Sequence, residues 1–255
     1  MSLVRGRSTS LLLVLGFLLL AGCASTGPMH LYSAGDGALL VHDRALETDQ
    51  HDELVGFLEP EDQVIGLGYE HNTDYIWLRL APGDRLVTIK RGIRELWYDY
   101  ALPPAFVLPD GQSGDLAVRS FNRMVYAVMP ERGVIGKVTR YGDVLETFMP
   151  GAKDAVIGGL AWDQVNDRLL VLYAETGEVV SYADETTEVS RVQLQADLRA
   201  ETLAYDSNRG RFYVPLAEPG WLGEFDAAGT LLNRLTWPAG MRAIDAGQRS
   251  LVRVF

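Results

Sequence analysis

The chain carries one thiol and four imidazoles, and none stands in the company that a hydrolytic site requires. Nucleophilic catalysis needs an activated Ser, Cys or Thr beside a base that a third group orients. The only cysteine of the 255 residues is Cys23, and the histidines are His30, His42, His51 and His71, with none beyond position 71. No Gly-x-Ser-x-Gly segment, no His-Glu-x-x-His pair and no Gly-rich phosphate loop occurs. His42, Asp43, His51 and Asp52 bring imidazole and carboxylate together, a pairing suited to metals. Their spacing fits no known ligand set, so the segment reads as a solvated loop or edge strand. A lone cysteine allows no disulfide within the chain, so stability must come from a core. A chain of this length buries enough surface for one sizeable domain.

Cys23 has a different chemistry available. Arg5 and Arg7 precede an apolar run from Leu11 to Leu20, which ends in Leu20-Ala21-Gly22-Cys23. A basic start, a short apolar core and small residues at a cleavage point read as a secretory leader. The cysteine directly after Leu-Ala-Gly resembles the bacterial lipoprotein signal, whose thiol is acylated and whose peptide is cut just before it. The resemblance implies a signal peptide over 1–22, a lipidated cysteine with a tether over 23–28, and a folded domain over 29–255. It also implies several acyl chains, because one chain holds a protein only marginally. Ala24 follows the cysteine where an Asp would retain the protein at the inner membrane. By that resemblance the expected location is the outer membrane facing the periplasm, with the cell surface as alternative.

Composition narrows the partners. The formal charge is −11 and becomes −13 once Arg5 and Arg7 leave with the leader. Such a balance argues against nucleic acid and against a bare anionic membrane. Membrane contact is therefore expected from the lipid on Cys23 alone. After Leu20 no apolar run approaches the ~20 residues of a membrane-spanning helix.

The elements that must position any site repeat along the chain. Five segments align: from Leu67 (LGYEHNTDYIWL), Leu116 (LAVRSFNRMVYA), Leu160 (LAWDQVNDRLLVL), Leu203 (LAYDSNRGRFYVP) and Arg242 (RAIDAGQRSLVRV). Each reads as a short apolar strand, a polar turn and a second apolar strand. Third strands fall within Gly133 to Tyr141, Gly177 to Tyr182 and Gly220 to Phe225. Fourth strands follow over Val144 to Phe148, Glu188 to Leu194 and Leu231 to Leu235, after turns rich in Gly and Asp. Four strands in ~40–45 residues, repeated, predict an all-β propeller.

Gly68, Ala117, Ala161, Ala204 and Ala243 align in the first strand, where converging blades would admit only small side chains. The last repeat supplies about two strands, and Met29 to Asp43 supplies two more. Joining them would seal the ring and leave no open sheet edge. The expectation is five four-stranded blades closed by N- and C-terminal strands, or six if Glu47 to Leu58 forms a unit of its own. A long Pro-rich connection, Ala101 to Gly114, interrupts the repeat, and such loops are often functional.

The pattern Leu-Ala-Tyr-Asp, polar turn, Arg-Phe-Tyr-Val over Leu203 to Val214, matched by Leu160 to Val171, resembles the repeats of NHL-type and related propellers. No WD dipeptide series or kelch double glycine is present. The superfamily includes lactonase-like hydrolases, a bacterial family named for regulation by a quorum-sensing receptor, and pure binding scaffolds. Lactonase-like propellers hold a divalent cation at the channel mouth. The comparable positions here are Asp115, Asp154 and Glu201, whose hard oxygens would suit Ca²⁺. Arg119 and Arg242, on first strands, would neutralise those acids, offer an anion site, or form simple salt bridges. Trp97, Tyr98, Tyr100, Phe106, Trp221 and Trp237 cluster near the long connection or at turns and would anchor a partner if exposed. The leading expectation is a lipid-anchored envelope scaffold, without a cofactor, that binds another envelope protein. The alternative is a metal-dependent hydrolase or a small-ligand binder using the channel mouth.

Overall fold

A computed structural model of the chain describes residues 26–250 apart from 36, 43–47, 54–57, 83, 92–94 and 110. The leader and Cys23 lie outside the described residues. The strands in chain order begin with β1 (Thr26–Gly35), β2 (Ala38–His42) and β3 (Thr48–Glu53). The first complete blade is β4 (Gln63–Glu70), β5 (Tyr75–Ala81), β6 (Arg85–Lys90) and β7 (Glu95–Ala101). The second is β8 (Leu116–Arg119), β9 (Met124–Val128), β10 (Ile135–Val138) and β11 (Val144–Phe148). The third is β12 (Ile157–Asp163), β13 (Arg168–Tyr173), β14 (Glu178–Tyr182) and β15 (Glu188–Gln193). The fourth is β16 (Ala204–Asp206), β17 (Arg211–Pro215), β18 (Trp221–Phe225) and β19 (Leu231–Thr236). Strand β20 (Ala243–Ser250) then joins the N-terminal strands in the order β20-β1-β2-β3. All ladders are antiparallel, and β4, β8, β12, β16 and β20 touch one another in cyclic order. This is a ring of five four-stranded blades.

The strands read as they do because each blade is sandwiched between two others. Middle strands are buried on both faces and are nearly continuous in apolar residues, as in Tyr75–Ala81 and Arg168–Tyr173. The outermost strands are polar and exposed, as in Glu188–Gln193, and their charges protect an open edge from pairing with another chain. The apolar clusters lie between adjacent blades. Tyr126 of the second blade stacks on Trp162 of the third at 4.9 Å, and Tyr32 of the composite blade stacks on Tyr69 of the first at 4.2 Å. Such pairs add about 0.5–1.5 kcal/mol beyond their buried area.

Three details depart from the sequence reading. Closure joins three N-terminal strands to one C-terminal strand, rather than two to two. Thr48–Glu53, within the Glu47 to Leu58 stretch, is the outer strand of that composite blade and not a sixth unit. Strand β1 starts at Thr26, inside the stretch read as tether. The polar composition of Thr48–Glu53 hid a strand whose only duty is to cover the composite blade's edge.

The ring has two ends. The lower end holds the turns from first to second and from third to fourth strands. The upper end holds the second-to-third turns and the connections between blades. In the inner hairpins of the four complete blades the same turn position takes a left-handed φ: Asp74 at 60°, Arg123 at 57°, Asp167 at 54° and Gly210 at 62°. Only the last has the residue that adopts this conformation freely.

Candidate functional site: the ring axis and its two mouths

The inner edges of the five first strands face the axis, and two carboxylates occupy it. Asp115 Oδ2 accepts the Leu160 N–H at 2.9 Å and the Leu203 N–H at 3.0 Å. Thr202 donates its hydroxyl to Asp115 Oδ1 at 3.2 Å and accepts the Ile244 N–H at 3.1 Å. Asp245 Oδ2 accepts the Tyr69 N–H at 2.7 Å, and Oδ1 the Ala246 N–H at 2.7 Å. Each of these side chains reaches the amide one level on in the next blade, so Ile244 stands level with Leu67, Leu116, Leu160 and Leu203. The fifth repeat is thus offset by two residues from its sequence alignment. Asp245, not Ala243, completes the row of Gly68, Ala117, Ala161 and Ala204.

The small residues do lie where blades crowd. A side chain on Gly68 would strike Leu116 and Val118, and one on Gly159 would strike Thr202 and Leu203. Asp245 in that row, and Asp115 one level earlier beside Gly66, Gly159, Thr202 and Ala243, occupy the axis and accept inner-edge amides. Both carboxylates pay for it by desolvation. Burial pushes Asp115 well up, against the amide bonds that pull it down and with the Asp245 charge adding to the rise. Burial likewise raises Asp245 to about 7, while the Tyr69 and Ala246 amides oppose the shift.

At the lower mouth one column of the repeat places a polar residue from each blade: His71, Ser120, Gln164, Ser207 and Gln248. The His71 N–H donates to Ser120 Oγ at 3.0 Å, the Ser120 N–H to Gln164 Oε1 at 3.3 Å, and the Gln164 N–H to Ser207 Oγ at 2.9 Å. Burial lowers the His71 imidazole to about 4, and a bond with the Gln248 backbone opposes that. The ring therefore carries a neutral His71 at pH 7. Sequence reasoning did not single out these five residues. The signal was present, because they occupy one column of the repeat once Ile244 is taken as the anchor of the fifth.

The upper end carries two clefts of mixed lining. At the axis a cleft of about 210 Å³ is lined by Gln63, Gln112, Ser113, Glu201 and Arg242 among others. Ser113 Oγ lies 2.7 Å from the Gly158 carbonyl and 2.6 Å from that of Glu201, bridging the mouth. A second cleft of about 510 Å³ opens between the second and third blades. Its lining includes Arg132, Lys153, Asp154, Tyr173, Glu175 and Arg191. Arg132 and Glu175 pair at 3.2 Å, and Arg191 pairs with Glu178 and Glu188.

The three acids read as cation ligands are not brought together. Asp115 is buried on the axis with both oxygens committed to donors. Asp154 lies in the cleft between blades, and Glu201 lies at the axial mouth, paired with Arg199 at 3.2 Å. Among the described residues no group of three or more His, Cys, Asp or Glu could hold a metal ion. Arg119 pairs with Asp167 and lies over Trp162.

The aromatic candidates divide. Phe106 is 1% exposed and Trp237 is 4% exposed, so neither ring is available to a partner. Phe106 fills the space beside Gly136, in a one-turn segment, Pro104–Phe106, of the long connection. Trp97 is 45% exposed, with Lys90 over its ring at 5.3 Å. Tyr98 stacks on Tyr100 at 5.6 Å and meets Tyr141 edge-on at 6.3 Å, which joins the outer strand of the first blade to the third-to-fourth turn of the second. Trp221 is half-buried under Arg234. The sequence placed these residues near the long connection or at turns but could not say which rings face outward.

The fold and the occupied axis define a five-bladed β-propeller. Of the solved structures similar to it, the nidogen/laminin complex superposes with a TM-score of 0.58 at 13% identity, over 87% of this chain and 99% of that one. A protein of unknown function from Bacteroides caccae gives a TM-score of 0.46 at 15% identity over 87% and 99% of the two chains. Glutaminyl cyclase from Myxococcus xanthus gives 0.48 at 14% identity over 72% and 71%. At these identities the likeness concerns the fold alone. No family model and no curated protein matches the chain.

Proposed function

We propose that this chain is a lipid-anchored propeller of the bacterial cell envelope that binds a protein partner through the upper end of its ring. The observation that carries the reading is the contrast between the ends. The upper end offers two clefts of mixed polar and apolar lining at the blade connections, whereas the axis below them is occupied by Asp115 and Asp245. Loops on a rigid frame suit recognition. Anchoring rests on Leu20-Ala21-Gly22-Cys23. The metal-dependent hydrolase reading receives no support from the separated positions of Asp115, Asp154 and Glu201.

Lys153 makes no ion pair among the described residues and lines the larger cleft. Its charge is therefore available to a partner. In-cell crosslinking of the tagged chain, followed by mass spectrometry, tests the reading. The expected result is a reproducible envelope-protein adduct that falls at least tenfold in Lys153→Glu and persists in Trp97→Phe. An adduct that survives Lys153→Glu and disappears in Trp97→Phe would overturn the assignment of the upper end.

A further inference from the structure

The large apolar side chains that remain exposed are gathered at one end of the ring. Ten such residues are exposed among those described, and only Val107 lies at the upper end. Phe121, 85% exposed, and Val165 are at the tips of first-to-second turns, and Tyr141 is in a third-to-fourth turn. Leu96 and Trp97 open strand β7, just after another such turn. The remainder begin the outer strands of the second, third and fourth blades. A shallow groove of about 310 Å³ runs between the two lower turns of the second blade, between Phe121 and Tyr141.

Charge follows the aromatics. Lys90 lies over Trp97, Arg140 lies 4.6 Å from the Tyr141 ring centroid, and Arg123 lines the groove. This sector is aromatic and of mixed charge: Arg123 pairs with Glu70 at 3.2 Å, and Lys90 stands opposite Glu95 in the β6–β7 ladder. The acidic turns Ala183-Asp184-Glu185 and Asp226 lie on the third and fourth blades instead. Trp and Tyr beside Lys and Arg are the side chains that favour the headgroup region of a bilayer.

The path of the chain fixes what meets this end. Strand β1 enters from below: Thr26 pairs with Ser250, at the lower end of β20, and Ala34 pairs with Ala243 near the top. Two residues, Ala24 and Ser25, separate Thr26 from Cys23. At ~3.3–3.6 Å per residue that link spans about 11 Å at most. Strand β1 also packs beside β4, so the chain enters next to the first blade and its aromatic strand.

We infer that the lower end of the ring rests on the bilayer, with Trp97, Phe121 and Tyr141 in the interface and Lys90 and Arg140 beside them at the level of the lipid phosphates. The inference builds on the anchoring proposed above and adds an orientation. The upper clefts then face away from the membrane, and contact with lipid comes from the exposed aromatics and the acyl chains rather than from net charge.

The test uses the full lipid-modified chain, extracted from cell membranes. Mass spectrometry first reads the acyl modification on Cys23. The chain is then placed in vesicles of phosphatidylethanolamine and phosphatidylglycerol with brominated acyl chains, and tryptophan fluorescence is compared between wild type, Trp97→Phe and Trp221→Phe. The expected result is an acylated Cys23, with the emission assigned to Trp97 at least halved by the brominated lipid and that of Trp221 unchanged. Acylation without quenching of Trp97 would overturn the orientation and leave anchoring intact. Absence of acylation would overturn both. Shielding of Trp97 only on adding envelope extract would give this face to a protein and overturn the inference.

Discussion

Asp245 is where the sequence departs from its own repeat. Four blades place Gly or Ala at that level, and the fifth places a carboxylate that takes the Tyr69 amide. Its pKa is raised from the ordinary carboxylate value of 3.8 to about 7 by burial. The folded state therefore holds a proton that the unfolded chain releases, so stability falls as pH rises between about 4 and 7. At about 1.4 kcal/mol per pH unit, ionising Asp245 costs on the order of 4 kcal/mol. Asp245→Asn keeps an acceptor for Tyr69 and removes the charge beside Asp115. The variant should be more stable than wild type at pH 8 by a few kcal/mol and equal to it near pH 4, as read by urea unfolding across pH. His71 acts with the opposite sign, because its imidazole is held down at about 4 and stability is lost as pH falls from the ordinary 6.5 towards that value.

The long connection shows how one element is held by a residue outside it. Arg79 in β5 is fully buried. Its Nε donates to Asp84 Oδ1 at 2.6 Å, and its terminal nitrogens donate to the Val128 carbonyl at 2.6 Å and the Phe106 carbonyl at 2.7 Å. Asp84 in turn accepts the Leu108 N–H at 2.8 Å. One guanidinium thus ties the first blade, the connection and the second blade together. Arg79→Ala would strand the Asp84 charge and should cost about 3–5 kcal/mol. Arg79→Met with Asp84→Asn should cost clearly less, and chemical denaturation of the two variants checks this. The element pattern was largely legible because blades buried on both faces write apolar runs every ~40–45 residues. Leu231–Thr236 and Val144–Phe148 lie within a residue of their predicted bounds. Arg79 was not legible, since a charged residue in the run Tyr75–Ala81 says nothing about where its partners come from. The closure was half legible: the need to seal the ring was visible, but the polar strand Thr48–Glu53 had no hydrophobic signal to reveal it.

At the scale of the whole molecule the ring separates two jobs. Its lower end gathers the exposed aromatics and the entry of β1, and its upper end holds the two clefts. The axis between them holds two carboxylates above and one polar residue from each blade below. On the reading proposed above, the ring would hold a fixed orientation between an anchor and a binding face. The decisive measurement is photo-crosslinking in cells, with a photoreactive residue placed at position 153 in one variant and at position 121 in another. The account predicts a protein adduct from position 153 and lipid adducts from position 121. Protein adducts from position 121 with none from position 153 would contradict it.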